Sequence, residues 1–212
     1  YSRVKTHKAA KPLSKQATTH AWTGFLGPTR DGVSTETHLL KSWPKGGPSR
    51  VWELEAGDGY ASPAIRHPYL VYPHRVGNEV LVECLDAETG QQFWQHKFAT
   101  AYRDRLGYSS GPRATPVIDG DRVYIYSAEG FLICLDLASG RLVWKRDLAS
   151  DFQVPQGFFG TVGTPLLVGD RLVVNIGKVG GPSVAAFDTR TGKQLWSAGK
   201  QWGSGYASPR LV

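Results

Sequence analysis

The side chains with the most chemistry to offer sit in two long stretches rich in aromatic and basic residues. Ala99 to Arg113 (ATAYRDRLGYSSGPR) carries Tyr102, Arg103, Arg105, Tyr108 and Arg113, and Ala149 to Gly163 (ASDFQVPQGFFGTVG) carries Phe158 and Phe159. Two shorter stretches echo them, with Tyr60 in Gly59-Tyr-Ala-Ser-Pro63 and Tyr206 in Gly205-Tyr-Ala-Ser-Pro209. Tyrosine and arginine are enriched at the energetic centres of protein interfaces, so these residues read as ligand- or partner-binding. The competing role is structural: the rings cap the ends of the elements they connect, and the arginines are solvated or paired with Asp104. Catalysis is less well served. Ser109 and Ser110 lie near arginines, but no histidine is placed in sequence to activate them. The six histidines (7, 20, 38, 67, 74 and 96) form no i,i+4 pair and have no cysteine at metal-ligand spacing, so no zinc site is expected. Cys84 and Cys134 belong to neither a CxxC nor a CxxCH and read as small buried apolar groups. No catalytic residue and no metal ligand is assigned.

Charge supplies a second candidate. The chain carries a net +7, of which residues 1–20 contribute +5 through Arg3, Lys5, Lys8, Lys11 and Lys15. The remainder is close to neutral and lacks the basic face that nucleic-acid binding needs. The tail is rich in Lys, Thr, Ser and Ala, too polar to build a core of its own. It reads as a partner-binding tail that docks on an acidic surface of another subunit or runs along an anionic membrane face. Tyr1, Val4, Leu13 and Trp22 are its available apolar anchors. No apolar run approaches the ~18 residues of a membrane span. The 212 residues contain no Met, and an export signal is expected to have been removed already.

The elements that position these stretches are set by a repeat. Cys84-Leu-Asp-Ala-Glu-Thr-Gly-Gln-Gln-Phe-Trp94, Cys134-Leu-Asp-Leu-Ala-Ser-Gly-Arg-Leu-Val-Trp144 and Ala186-Phe-Asp-Thr-Arg-Thr-Gly-Lys-Gln-Leu-Trp196 align without gaps, with the tryptophans 50 and 52 residues apart. Trp52 looks like the end of a preceding copy. In phase with the motif, Ser62-Pro63, Thr115-Pro116, Thr164-Pro165 and Ser208-Pro209 open successive units at spacings of 53, 49 and 44. The clearest unit divides into strands at 114–118, 122–127, 131–136 and 141–148. Asp119-Gly120 supplies the positive φ angles of a tight hairpin. In the first unit His67-Pro68 stands at that turn and leaves the pairing there open. Val123-Tyr-Ile-Tyr126 and Leu172-Val-Val174 are apolar on both faces, as expected of sheets stacked between sheets. Four short antiparallel strands recurring at this period predict an all-β fold, a β-propeller of four-stranded blades. The predicted organisation is a basic extended tail (1–21), a lead-in segment (22–50) and a partial propeller (51–212). The propeller comprises a strand at 51–56, blades at 58–98, 111–148 and 161–198, and the start of another blade at 206–212.

The eleven-residue motif resembles the tryptophan-docking motif of pyrroloquinoline-quinone (PQQ)-type propellers. These include quinoprotein alcohol dehydrogenases and the assembly lipoprotein BamB, both eight-bladed. The segment from Trp22 to Val33, continuing through Trp43-Pro44, is similar to uncharacterised exported bacterial members. The resemblance implies that Trp94, Trp144 and Trp196 lie between blades and stack on Gly90, Gly140 and Gly192 of neighbouring copies. It further implies that Asp86, Asp136 and Asp188 tie their turns by side-chain hydrogen bonds. Eight such units need about 350–400 residues, so about half a ring is expected here, completed by further sequence or by another chain. Quinone-binding members carry an adjacent Cys-Cys pair, a stacking Trp, calcium-binding Glu, Asn and Asp, and a catalytic Asp; this chain has no adjacent cysteines. The expected function is therefore a non-catalytic binding or assembly subunit, periplasmic or at the cell surface, with protein partners and no cofactor. The alternatives are a quinoprotein dehydrogenase using PQQ with calcium, and a carbohydrate- or peptide-binding propeller.

Overall fold

The computed structural model describes residues 3–12, 14, 16, 18–37, 41–157, 159–201, 203 and 205–211. Its strands are β1 (Val4–Thr6), β2 (Trp52–Leu54), β3 (Ala64–Arg66), β4 (Tyr69–Val76), β5 (Glu79–Asp86), β6 (Gln92–Ala99), β7 (Val117–Asp119), β8 (Arg122–Tyr126), β9 (Phe131–Asp136) and β10 (Leu142–Asp147). A short helix, α1 (Leu148–Phe152), then precedes β11 (Leu166–Val168), β12 (Arg171–Asn175), β13 (Val184–Asp188) and β14 (Gln194–Ala198). They form three four-stranded antiparallel meanders, β3-β4-β5-β6, β7-β8-β9-β10 and β11-β12-β13-β14, and a two-stranded pair, β1-β2. The molecule is an all-β stretch of propeller. Asp147 begins α1 by accepting from the Ser150 N–H, and Gln153 ends it in the left-handed region, so the fourth strand of the second sheet stops one residue before the expected 148.

Alternation along the middle strands explains why they read as apolar on both faces. Val123 and Ile125 point into a core shared with Val71, Val82, Cys84 and Trp94 of the first sheet. Tyr124 and Tyr126 point into a core shared with Leu172, Val174, Ala185 and Phe187 of the third. The second sheet buries both faces because a sheet stands on either side, and successive side chains serve opposite cores.

The repeated turns are built alike. Asp86 Oδ1 accepts from the N–H groups of Glu88 and Thr89 and from the Thr89 hydroxyl, at 2.8–3.0 Å. Asp136 repeats this with Ser139, and Asp188 with Arg190 and Thr191. The side-chain hydrogen bonds from Ser139 and Thr191 hold the Asp136 and Asp188 carboxyls below the usual carboxylate range. The glycine that follows takes a positive φ and receives an indole from the preceding unit. Trp52 covers Gly90, Trp94 covers Gly140 and Trp144 covers Gly192; a methyl group at any of the three would lie 2.5–2.7 Å from the ring. The Trp94 and Trp144 indole N–H groups donate to Leu137 O at 2.8 Å and Thr189 O at 3.0 Å.

Trp196 is 40 % exposed on β14, and no sheet carrying a following copy of the motif is among the described residues. One expectation is corrected. The tail is not simply an extended arm, because Val4–Thr6 pairs antiparallel with Trp52–Leu54, supplying a partner to a strand edge that would otherwise stand open. The first unit is fully paired as well. His67-Pro68, with a cis peptide bond, is a two-residue hairpin loop between Arg66 and Tyr69.

Residues 22–30 follow a course that the repeat did not foretell. Trp22 exchanges two 2.8 Å backbone hydrogen bonds with Ile65 of β3, and the Ile118 N–H of β7 donates to Thr23 O at 2.8 Å. The Arg30 guanidinium reaches Leu167 O of β11 at 2.5 Å. The segment therefore crosses the first strands of all three sheets in order.

Candidate functional site: the loop face at the first strands

The Ser/Thr-Pro signals that open each unit also join neighbouring units. The Thr164 hydroxyl accepts from the Thr115 N–H, and the Ser208 hydroxyl accepts from the Thr164 N–H, each at 3.0 Å. In the first unit the Tyr60 and Ala61 N–H groups donate to Pro112 O at 2.8 and 3.1 Å. Asn175 Nδ2 donates to Ala207 O at 2.7 Å. These bonds bring four sequence-distant loops to one face.

Arg113 is the centre of that face. Its guanidinium carbon lies 5.2 Å from the centroid of the Tyr60 ring and 5.4 Å from that of Phe159. Phe159 in turn meets Tyr206 edge-to-face at 5.1 Å. Arg113 also pairs with Asp104 and donates to Ser109 O at 2.9 Å. The Asp104 side chain is fully buried and that of Arg113 is 9 % exposed. Burial pushes the Asp104 carboxyl up, but the N–H groups of Leu106 and Ser109 and the Arg113 charge outweigh it and hold the group below the usual carboxylate range. The pair is thus a fixed ion pair organising a loop, and it presents a cation sandwiched by aromatic rings.

The other expected residues divide by role. Tyr102 is buried, and its carbonyl accepts from Arg75 at 2.5 Å and from Arg103 at 3.1 Å. Arg103 also donates to Asn78 Oδ1 at 2.9 Å. Tyr102 and Arg103 therefore hold the loop in place. Tyr60 (58 %), Tyr108 (68 %) and neighbouring Leu106 (50 %) stand in solvent, and Arg105 is exposed with them. Phe158 lies outside the described residues. The Ser109 and Ser110 hydroxyls accept from the N–H groups of Gly111 and Asp104, so both are spent on loop structure.

In the tail, Lys5 pairs with Glu53 at 3.7 Å and His7 with the same carboxylate at 3.0 Å. Arg3 approaches His74 Nδ1 at 3.5 Å. Lys8 and Lys11 are exposed, while Lys15, Tyr1 and Leu13 lie outside the described residues. Part of the basic charge is thus already answered by the chain itself.

Two groups escaped the sequence reading. Arg75, 4 % exposed, has no carboxylate among its hydrogen-bond partners; it donates to the carbonyls of Gly77, Tyr102 and Ser110 and to Asn78 Oδ1, stapling the 99–113 loop to the first sheet. His74, fully buried, accepts the Gly57 N–H on Nδ1 at 2.8 Å and faces Glu83 Oε2 with Nε2 at 3.1 Å. With Nδ1 accepting, Nε2 is the nitrogen placed to donate to Glu83. Burial raises the Glu83 carboxyl, but hydrogen bonds from His74 and Gln95 prevail and lower it. Only the alternating pattern of β4 and β5, which faces residues 74 and 83 inward, could have flagged this pair.

Cys84 and Cys134 are free, and burial pushes both thiols up to about 12. They lie in different inter-sheet cores, which leaves no route to a disulfide. Among the described residues no three His, Cys, Asp or Glu converge as metal ligands, and no helix is long and apolar enough to cross a membrane.

The chain is similar in sequence to known proteins. Outer membrane protein assembly factor BamB of Burkholderia pseudomallei is 27 % identical over 176 residues, which cover 80 % of this chain and 38 % of the relative. Quinohemoprotein alcohol dehydrogenase ADH IIB of Pseudomonas putida is 24 % identical over 148 residues, covering 68 % of this chain and 21 % of the relative. The crystal structure of BamB from Moraxella catarrhalis aligns with a TM-score of 0.46 at 26 % identity, covering 66 % of this chain and 36 % of that one. The chain thus spans well under half the length of these relatives. The family profile described as outer membrane protein assembly factor BamB matches residues 78–210, more than half of the sequence, and with the repeats and stacked sheets above, the chain belongs to this PQQ-like repeat family of β-propellers.

Proposed function

We propose that this chain is a non-catalytic propeller segment of an exported assembly or scaffold protein, and that it contacts protein partners through the loop face around Arg113. The observation that carries this reading is the juxtaposition of Arg113 with Tyr60, Phe159 and Tyr206, flanked by exposed Leu106 and Tyr108. A rigid scaffold bearing aromatic and arginine side chains on loops is the arrangement that interface energetics favours. Relatives named as assembly factors support it. The dehydrogenase reading has relatives of its own. Against it, the two cysteines serve separate cores and supply no adjacent Cys-Cys pair. Periplasmic or cell-surface residence, and a membrane-associated complex as the partner, are part of the same proposal.

Site-specific photo-crosslinking tests it. With a benzophenone side chain at position 60, 106 or 108, the protein exported in a bacterial host should yield one discrete polypeptide adduct. The same side chain at position 142, on an outer strand, should yield none. Equal labelling at all four positions would refute a localised partner face. Reconstitution with PQQ and calcium should give no alcohol-dependent dye reduction.

A further inference from the structure

Residues 57–61, which lead from β2 to β3, are wedged against both the first sheet and the 99–113 loop. Asp58 and Arg75 exchange backbone hydrogen bonds at 2.9 and 2.8 Å, and the Tyr60 and Ala61 N–H groups donate to Pro112 O at 2.8 and 3.1 Å. Glycines make the approach possible: a methyl group on Gly57 would collide with Arg75 O, and one on Gly111 with Asp58 O. The Arg75 side chain holds the same loop at Tyr102 O and Ser110 O. The upstream end of this segment is held by the tail. The Glu55 N–H donates to Arg3 O at 2.9 Å and the His7 N–H to Val51 O at 2.8 Å, so β1 grips residues on either side of β2. The Gly57 N–H ends on His74 Nδ1 at 2.8 Å, and the Arg3 guanidinium approaches the same nitrogen at 3.5 Å. Tail, connecting segment and loop are therefore in unbroken contact. β1 is the weakest member of that series. It has three residues, two of them exposed, and β2 is its only sheet partner among the described residues. Its Lys5–Glu53 ion pair is exposed and contributes little. Short, exposed pairings open locally without unfolding of the core.

We propose that the seating of β1 on β2 regulates the partner face, which rests on the loop face being the partner-binding surface. With β1 seated, residues 55–61 are fixed, Tyr60 stands against Arg113 and the 99–113 loop keeps its shape. With β1 released, the backbone from Glu55 to Ala61 loses its upstream anchor, and Gly111 and Pro112 lose the surface they rest on. An acidic surface that captured the basic tail would compete with β2 for Arg3 and Lys5 and so loosen the face. Coupling between two sites is reciprocal, so a partner bound at the loop would in turn hold β1 in place.

Backbone amide exchange of the 212-residue chain reads the coupling without any partner. Lys5→Pro removes a backbone donor from β1, and exchange at Glu55 should rise. Exchange at Tyr60, Ala61 and Leu106 should rise with it, by at least roughly fivefold, while Ile133 in the second sheet stays protected. Lys11→Pro, in the exposed part of the tail, should change none of them. Removal of residues 1–8 repeats the measurement with β1 absent altogether. In the reverse direction, Gly111→Ala, which loosens the loop, should raise exchange at Glu55. Release of Glu55 with Tyr60, Ala61 and Leu106 unchanged, an equal effect from Lys11→Pro, or a loop that loosens in Gly111→Ala without any change at Glu55 would overturn the inference. The photo-adduct from position 108 should weaken in Lys5→Pro. Absence of that adduct from the unsubstituted chain would sink the partner-face reading alone, since the exchange measurement stands apart from it.

Discussion

Gly120 and Gly140 have similar backbone angles and opposite surroundings. Both take positive φ, +51° and +70°, but a methyl group at Gly120 meets nothing within 4 Å while one at Gly140 lands 2.5 Å from the Trp94 ring. Gly120→Ala therefore meets only backbone strain, about 1–2 kcal/mol. Gly140→Ala adds overpacking against an indole fixed by its own hydrogen bond, and should cost about 2–4 kcal/mol. Urea unfolding midpoints of the two variants check the difference. At the same scale, the buried Cys84 and Cys134 thiols, both raised to about 12, should be silent to a thiol reagent in the native protein at pH 8. Both should titrate fully once it is denatured.

At the scale of elements, each unit hands its tryptophan to the next, so the worth of the indole depends on whether a next sheet covers it. Trp144, 9 % exposed and stacked on Gly192, should cost about 3–5 kcal/mol when replaced by Ala. Trp196, chemically equivalent in the motif but 40 % exposed, should cost about 1 kcal/mol or less. Denaturant melts of Trp144→Ala and Trp196→Ala measure both. The 99–113 loop carries its own pH dependence. The folded Asp104 carboxyl lies below its unfolded value, so its ion pair with Arg113 contributes fully above the usual carboxylate range. That contribution is lost as pH falls through the depressed folded value. Amide exchange at Leu106 and Ser109, both donors to Asp104, should accelerate selectively on acidification through that window. Exchange at Ile133, in the sheet core, should not.

For the molecule as a whole, residues 4–6 and 22–30 are parts of the propeller surface. Deleting residues 1–20 removes β1 from β2, and the three four-stranded sheets should still fold because none of their strands lies there. Amide protection at Trp52–Leu54 should fall, while that at β8 and β9 is retained; loss of protection throughout would show that the tail is integral to the core. If the tail is also a tether, the truncated protein should lose its partners in 0.3 M salt more readily than the intact one. Exposed pairs such as Lys5–Glu53 contribute only about 0–1 kcal/mol each and weaken with salt.

Repeat period, strand order and the identity of the docking residues were legible because each rests on chemistry local to a unit: Asx turns, glycines at positive φ, Asp-Gly hairpins and side chains alternating across a strand. The loops proposed to carry function stand out in the sequence as aromatic and basic insertions between regular strands. What local pattern could not state is which distant groups meet. Arg113 finds Tyr60 from the preceding unit and Phe159 from the following one. Arg75 leaves its strand to satisfy carbonyls of another loop, and His74 and Glu83 meet across paired strands. Residues 22–30 meet the first two sheets through backbone hydrogen bonds, which any side chains could have made, and the third through the Arg30 guanidinium. Residue types and spacing determined that this chain is a series of propeller blades. Only the packing of sheet on sheet decided which arginines are buried and which tryptophans are covered, because burial depends on what another part of the chain brings alongside.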